Sequence, residues 1–289
     1  MKKVLITGAN SYIGCSFEAY VKKNYTEDIA IDTIDMVDGT WREKNFAGYD
    51  VVFHVAGLAH ADVGKVTEQV KQKYYAVNTH LAIETAKKAK ADGVKQFVFM
   101  SSMIVYGGLE RITKDTKTQP TNFYGDSKWQ ADKGVRKLQS NEFCVTVLRP
   151  PMVYGKGSKG NYPMLAKFAQ KTPIFPKVNN KRSMLYIENL CEFLCQIIMH
   201  SRAGVFFPQN GELINTSDMV KQIAAVKGHR IWVTRILTPF VAISMKIPGA
   251  IGELGRKAFG TSYYDLEMSR YDFEYCVVSG EDSIRKTEE

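Results

Sequence analysis

Short, nearly uninterrupted apolar runs alternate with longer helix-patterned segments through the first 155 residues, and this alternation restricts the fold more than any other feature. The runs are Lys3–Thr7, Ile29–Asp35, Asp50–Val55, Gln96–Met100 and Phe143–Arg149. Between them lie Tyr12–Lys23, with Ile13, Phe17, Tyr20 and Val21 on one face, and the patterned segments Thr67–Ala91 and Tyr124–Gln139. Strands that are apolar throughout are buried on both faces, which implies a parallel sheet covered by helices above and below. Right-handed crossovers wind such a sheet in both directions. The expected class is α/β, a doubly wound parallel sheet.

After Gly155 the alternation stops. A Gly/Lys-rich loop, Lys156–Gly160, leads to expected helices near Asn161–Gln170, Ile187–His200 and Ser217–Val226. The chain is therefore divided into residues 1–155, holding the sheet, and a smaller mixed lobe, 156–289, that closes over the carboxyl edge of the strands. No Pro/Gly linker separates the two, so they are expected to interleave. Cys191 and Cys195 fall one helical turn apart in an apolar segment, where core thiols are the ordinary occupants. The five cysteines show no C-x-x-C pair and no zinc spacing, so no metal is expected. The apolar stretches near Leu190–Met199 and Ile236–Met245 are too short to span a bilayer, and a cytoplasmic location is expected. A net charge of +9 suits an anionic partner. No nucleic-acid-binding motif accompanies it, so nucleic acid is not an expected partner. Apolar and basic residues (Lys246, Arg256, Lys257) mix in the C-terminal third, a combination compatible with weak association at a membrane surface.

The first strand runs straight into Thr7-Gly8-Ala9-Asn10-Ser11-Tyr12-Ile13-Gly14. A glycine turn between strand and helix lets backbone N–H groups approach a pyrophosphate, and the helix N-terminus adds positive potential. Ser11 stands where a middle glycine is common and can still offer its N–H and hydroxyl. Asp35 ends the second strand about 20 residues past the last glycine, where a carboxylate binds adenosine ribose hydroxyls and repels a 2′-phosphate. NAD is therefore the expected cofactor. Asp32 and Asp38 are neighbours to which a register error would move the role.

Tyr124 and Lys128 are four residues apart, on one face of a helix. A lysine cation beside a phenol favours phenolate, so the tyrosine can exchange a proton with a substrate hydroxyl while hydride passes to nicotinamide. Ser101 and Ser102 end the strand Gln96–Met100, and a serine hydroxyl there can hold the reacting oxygen. Strand-end capping is the competing role, more natural for Ser101 than for Ser102.

With these residues in place, the chain resembles the nucleotide-sugar epimerase/dehydratase branch of the extended short-chain dehydrogenase/reductases, in the manner of UDP-glucose 4-epimerases. The resemblance runs from Lys2 to about Leu190. It rests on Gly8…Gly14, His54-Val55-Ala56-Gly57, Tyr75-Ala76-Val77-Asn78, Ser102…Gly107, Tyr124…Lys128, Arg149-Pro150 and Arg182…Ile187. It implies a Rossmann domain, NAD, and a catalytic triad of Ser102, Tyr124 and Lys128. It implies cofactor contacts at Gly8, Ser11, Tyr12, Ile13, Gly14, Asp35, Ala56, Gly57, Asn78, Tyr124, Lys128, Pro150 and Pro151. Arg182 matches an arginine that grips a substrate diphosphate. Asn161, at the start of the first helix beyond the sheet, is either a nucleotide contact or a simple N-cap. A homodimer through Thr67–Ala91 and Tyr124–Gln139 is the implied assembly.

The resemblance also narrows the reaction. Relatives that are 4,6-dehydratases carry an Asp-Glu pair after the catalytic hydroxyl, where this chain has Met103 and Ile104. Relatives that are 3,5-epimerase/reductases need a cysteine where Met103 stands. Two chemistries remain: a 4-epimerase of a UDP-sugar, serving bacterial surface polysaccharide synthesis, and a 4-ketoreductase of a UDP-4-keto-6-deoxy sugar. Asp35 leans toward the former, and the short stretch from Asp35 to Asp50 toward the latter. A non-catalytic NAD-binding regulator is a third reading.

Overall fold

The computed structural model describes residues 1–59 and 66–289. Six parallel strands form the central sheet: β1 (Lys2–Thr7), β2 (Ile29–Ile34), β3 (Val51–His54), β4 (Gln96–Met100), β5 (Cys144–Leu148) and β6 (Gly204–Phe206), in the order β6-β5-β4-β3-β1-β2. Neighbouring side chains go to opposite faces. Val4, Ile6, Val51, Phe53, Val98 and Met100 enter one core, and Leu5, Val52, Phe97 and Phe99 the other. Both faces are dry, which is why the strands read as continuous apolar runs.

The first core is covered by α1 (Tyr12–Asn24), α5 (Asn161–Lys171), α6 (Ile187–Met199) and α7 (Thr216–Val226), and holds buried Cys191 and Cys195. The second core is covered by α3 (Leu81–Ala91) and α4 (Phe123–Arg136) through Ala82, Ala86, Ala89, Ala131 and Val135. Small residues on both helices bring them close to the sheet and to each other. The segment expected as one helix over Thr67–Ala91 is instead α2 (Glu68–Tyr74), a π turn (Tyr75–His80) and α3. Such turns often mark places where a helix re-aims a side chain for function, and this one carries Asn78.

Between β2 and β3 the chain makes only a 3₁₀ turn, Thr40–Arg42, that buries Trp41. β2 is therefore the sheet edge. Beyond residue 155 the chain first builds α5, then returns to the sheet with α6, packed on α1, and with β6. β6 has three residues, too few for a readable period, and was not expected from the sequence. The remaining C-terminal elements are α8 (Thr238–Lys246), α9 (Ala250–Phe259) and α10 (Gly280–Glu288), with three short parallel strand pairs. One pair joins Arg111–Ile112 to Tyr263–Tyr264, fastening the far C-terminal region to the loop after β4. Among the described residues no helix is long and apolar enough to cross a membrane.

Candidate active site

From β1 the chain steps to β2 on one side, and β3 pairs on the other. That reversal opens a crevice at the carboxyl edge, the position where doubly wound sheets take ligands. Gly8 sits in it with φ +112°, and a Cβ there would stand 2.7 Å from Ala56 N. Only glycine lets the turn after β1 and the loop after β3 come this close. The Gly8 and Ala9 N–H groups both donate to Ile34 O, at 3.0 and 3.2 Å, which ties the turn to the end of β2. Ser11 caps α1: its Oγ accepts from Gly14 N at 3.2 Å, and its own N–H donates to Gly8 O. The Ser11 N–H, expected to be offered to a ligand, is thus spent inside the turn, and its hydroxyl proton remains. The N–H groups of Tyr12 and Ile13 lie in the first helical turn, with no carbonyl one turn back to bond. A Cβ on Gly14 would come within 2.6 Å of Ser11 Oγ and break the cap. Gly8→Ala is expected to weaken NAD binding about 10- to 100-fold through strain of this turn, measured by fluorescence titration.

The three acids near β2 are told apart by their partners. Asp32 accepts from the Tyr49 hydroxyl at 2.7 Å, and Asp38 from Thr40 N and Oγ1 at 3.0 and 2.8 Å. Asp35 directly follows Ile34, whose carbonyl holds the glycine turn. It is exposed, and its Oδ1 accepts from Val37 N at 2.9 Å.

Across the crevice, Ala56 and Gly57 leave β3. A Cβ on Gly57 would stand 3.0 Å from Lys128 Nζ and 3.1 Å from Asn78 Oδ1, so the missing side chain leaves a cradle with a cation at its wall. Asn78 is buried. Its Oδ1 accepts from Leu58 N at 2.7 Å, and its Nδ2 donates to Leu58 O and Ser127 Oγ, each at 3.1 Å. Its hydrogen bonds thus go to clamping the loop after β3 onto α4.

Asn122 caps α4, accepting from Gly125 N at 2.7 Å, and sets Tyr124 in the first turn. Tyr124 is half-buried, edge-on to Tyr74 with centroids 6.0 Å apart. Burial pushes its phenol up to about 12, and a hydrogen bond from the Ser102 hydroxyl opposes part of that rise. Lys128 Nζ donates to Met100 O at 3.1 Å and lies 5.4 Å over the Phe99 ring. Burial pushes it down to about 8. The sequence expectation that Lys128 lowers the Tyr124 pKa is therefore not met in the protein by itself. Lys128's ammonium is held at the end of β4 by Met100 O, and desolvation dominates both groups.

Ser102 Oγ also accepts from Ile104 N at 3.3 Å, opening the turn Met103–Tyr106. Ser101 takes the structural part: its hydroxyl donates to Asp132 Oδ2 at 3.2 Å. Asp132, fully buried, also accepts from Arg149 Nε and Nη2 at 2.8 and 3.1 Å and from Arg136 Nε at 2.7 Å. Asp132 lies four residues beyond Lys128 on the same helix face, a spacing legible in the sequence but overlooked there. Buried Pro150 and Pro151 follow β5, and Pro150 O accepts from Met103 N at 2.9 Å, pinning the Ser102 turn.

His54 lies under this floor. Its Nδ1 shares a 2.7 Å hydrogen bond with Thr7 Oγ1, the rings of Phe97 and Phe99 stack beside it, and its Nε2 has no hydrogen-bond partner among the described residues. Burial, reinforced by Lys128, holds its pKa down to about 3. A depressed folded-state value means that this stability is fully present above the unfolded value of about 6.5 and is lost as pH falls toward 3. His54→Gln is expected to flatten urea-unfolding stability between pH 6 and 4 by up to about 1.4 kcal/mol per pH unit relative to the parent.

Arg182 is joined to the turn after Ser102 through Ser262. Its backbone bridges Ile214 and Ser262, and the Ser262 hydroxyl contacts Met103 Sδ at 3.8 Å. The half-buried guanidinium donates through Nη1 to the carbonyls of Lys257 and Gly260, at 2.7 and 3.1 Å. Burial lowers its pKa. Asn161 is the first residue of α5 and half-buried; the cap position falls to Gly160, with φ +101° and no side-chain cap.

The solved UDP-glucuronic acid 4-epimerase from Bacillus cereus, in complex with NAD, superposes with a TM-score of 0.71 at 15% identity, over 99% of this chain and 95% of that one. The UDP-glucose 4-epimerase of Vibrio cholerae is 29% identical over 80% of this chain and 77% of its own length. The N-acetyl-alpha-D-glucosaminyl-diphospho-ditrans,octacis-undecaprenol 4-epimerase of Escherichia coli O157:H7 is 28% identical over 78% of this chain and 66% of its own. Residues 4–207, which hold the glycine turn, the Ser102–Tyr124–Lys128 cluster and Arg182, match the model of a single family. The chain belongs to the NAD dependent epimerase/dehydratase family.

Proposed function

We propose that this protein is an NAD-dependent 4-epimerase of a sugar diphosphate, with UDP-sugars as its soluble substrates. The observation that carries the reading is the convergence of Ser102, Tyr124 and Lys128 on the crevice that Gly8 and Gly57 keep open. That cradle, whose space a Cβ would fill, fits a dinucleotide: Gly8, Ser11, Tyr12, Ile13 and Gly14 around the pyrophosphate, Asp35 on the adenosine ribose, and Ala56, Gly57, Asn78, Pro150 and Pro151 along the nicotinamide half. When bound, NAD supplies the hydride acceptor and donor for C4. Tyr124 removes the proton from O4 as hydride leaves C4, and Ser102 holds that oxygen by a hydrogen bond. Once the 4-keto sugar has turned its other face, Tyr124 returns the proton to O4 and the opposite configuration results. Lys128, beside Gly57, binds the ribose next to the nicotinamide. Arg182 pairs with the diphosphate, and Asn161 contacts the nucleotide. Met103 and Ile104 have no acid or base to offer at C5 or C6, in keeping with a sugar that keeps its other centres.

The epimerase reading draws on the activities named for the two relatives, which share a hexose on a diphosphate. Cytoplasmic surface-polysaccharide synthesis, and a dimer through α2–α3 and α4, are parts of the same proposal. A 4-ketoreductase is the second reading, favoured by the abbreviated connection between β2 and β3. The test is made on protein purified without added cofactor. Near-stoichiometric NAD released on denaturation, with UDP-glucose or UDP-N-acetylglucosamine converted to the 4-epimer, supports the epimerase. An empty site, and NADH consumption only with a UDP-4-keto-6-deoxy sugar, replaces it with the reductase.

A further inference from the structure

The C-terminal lobe carries an apolar ridge on its outer side. Val241 turns α8 inward, while Phe240 and Ile243 are 66% and 60% exposed. Ile236 before the helix and Ile247 after it are 71% and 38% exposed. Phe240 and Ile243, three residues apart, share one face of α8, and Ile236 and Ile247 carry the exposed apolar run past its two ends. Amphipathic helices normally turn such a stripe toward the core. Here the stripe points away, and 65%-exposed Trp232 and 43%-exposed Leu254 of α9 add to the apolar surface. Helices α8 and α9 pack as a hairpin: a Cβ on Gly255 would stand 3.1 Å from Ser244 Oγ, so glycine allows the close approach.

The charge of this region is one-sided. From Ile231 to Tyr264 there are four lysines and arginines, Arg235, Lys246, Arg256 and Lys257, and a single carboxylate, Glu253, which is already paired with Lys257 at 2.8 Å. Two copies of this chain meeting through the ridge would bring like charges together. An anionic surface would be matched by both the cations and the apolar side chains. The hairpin also borders the candidate site, because the Arg182 guanidinium donates to the carbonyls of Lys257 and Gly260 at the end of α9.

We propose that α8–α9 docks the protein on an anionic lipid bilayer. Ile236, Phe240 and Ile243 enter the boundary between headgroups and acyl chains, and the surrounding cations meet lipid phosphates. Resting on the 4-epimerase reading, this places the Arg182 side of the site at the membrane surface, where a sugar carried on a lipid diphosphate is presented.

The test uses the full chain, sedimented with vesicles of phosphatidylcholine alone or mixed with phosphatidylglycerol. The parent is expected to bind the mixed vesicles at least about tenfold more tightly than the neutral ones, and high salt to weaken that binding. The combined variant Ile236→Glu, Phe240→Glu, Ile243→Glu is expected to lose binding to the mixed vesicles at least about tenfold. It should keep the parent's NAD content and its turnover of soluble UDP-sugar. A second variant, Arg235→Glu with Lys246→Glu, should lose the preference for anionic lipid. A parent that stays in solution with both vesicles, or a triple variant that binds as the parent does, overturns the proposal. So does a parent that is dimeric, indifferent to vesicles and made monomeric by the triple variant, since a second copy then covers the ridge. Vesicle binding without sugar turnover leaves docking standing and removes the 4-epimerase reading; turnover without vesicle binding does the reverse.

Discussion

Tyr124→Phe is expected to lower the epimerisation rate by about 10²- to 10⁴-fold, the usual contribution of a positioned acid–base group, while leaving bound NAD unchanged. The ring keeps its edge-on contact with Tyr74, and α4 keeps its Asn122 cap, so the fold loses only a hydroxyl. The proposed NAD cradle consists of the glycine turn, Gly57 and Lys128, whose hydrogen bond and packing do not involve the phenol oxygen. What disappears is the hydroxyl that bonds Ser102 and that the proposal assigns to proton transfer at O4. Steady-state turnover of a UDP-sugar and NAD released on denaturation are the two readouts. Parent-like turnover by the variant would remove Tyr124 from the chemistry. If neither protein turns over any sugar diphosphate yet both hold NAD, the chain acts as an NAD-binding regulator instead.

Asp132→Ala is expected to destabilise the fold by about 3–5 kcal/mol, because it leaves the buried Arg149 guanidinium without its counter-charge. Arg149 is 5% exposed and makes a two-pronged contact with Asp132, and its Nη1 donates to the Tyr106 hydroxyl at 2.7 Å. The intact pair adds little net stability, since both ions are dehydrated; the cost arises when one is removed alone. A loss of this size corresponds to a melting temperature lower by about 6–20 °C for a chain somewhat larger than typical domains. Replacing the two together, Asp132→Leu with Arg149→Met, is expected to recover most of it. Urea unfolding of the three proteins makes the comparison. A single variant within about 0.5 kcal/mol of the parent would mean that water already reaches the guanidinium. The same pair joins the ends of β4 and β5, through Ser101 on one side and the strand leading to Pro150 on the other, so turnover is expected to fall along with stability.

Much of this site was legible in one dimension because its signals are local. A strand ending in Gly8, a helix opening at Tyr12, and Tyr124 one turn before Lys128 are short-range patterns, and backbone geometry turns each directly into a position in space. The parallel sheet followed from equally local facts: five runs that are apolar on both alternating faces leave no side for water. Burial is less local. The sequence placed a lysine charge beside a phenol and expected a lowered pKa, but the enclosure of both groups by Phe99, Tyr74 and the end of β4 raised the phenol and depressed the lysine.

The sequence by itself determined the strand and helix faces, the glycine turn and the spacing of the catalytic cluster, since these depend on period and on residue type at adjacent positions. Only the tertiary structure decided which of three acids ends beside that turn. It alone placed Asn78 and Asp132 as clamps, and it alone added β6 and turned the stripe of α8 outward. They depend on partners distant in sequence, such as Ile34 for Gly8, Leu58 for Asn78 and Arg149 for Asp132, the acceptor of Ser101. Residue order cannot reveal such partners until folding has met the entropy cost of bringing them together.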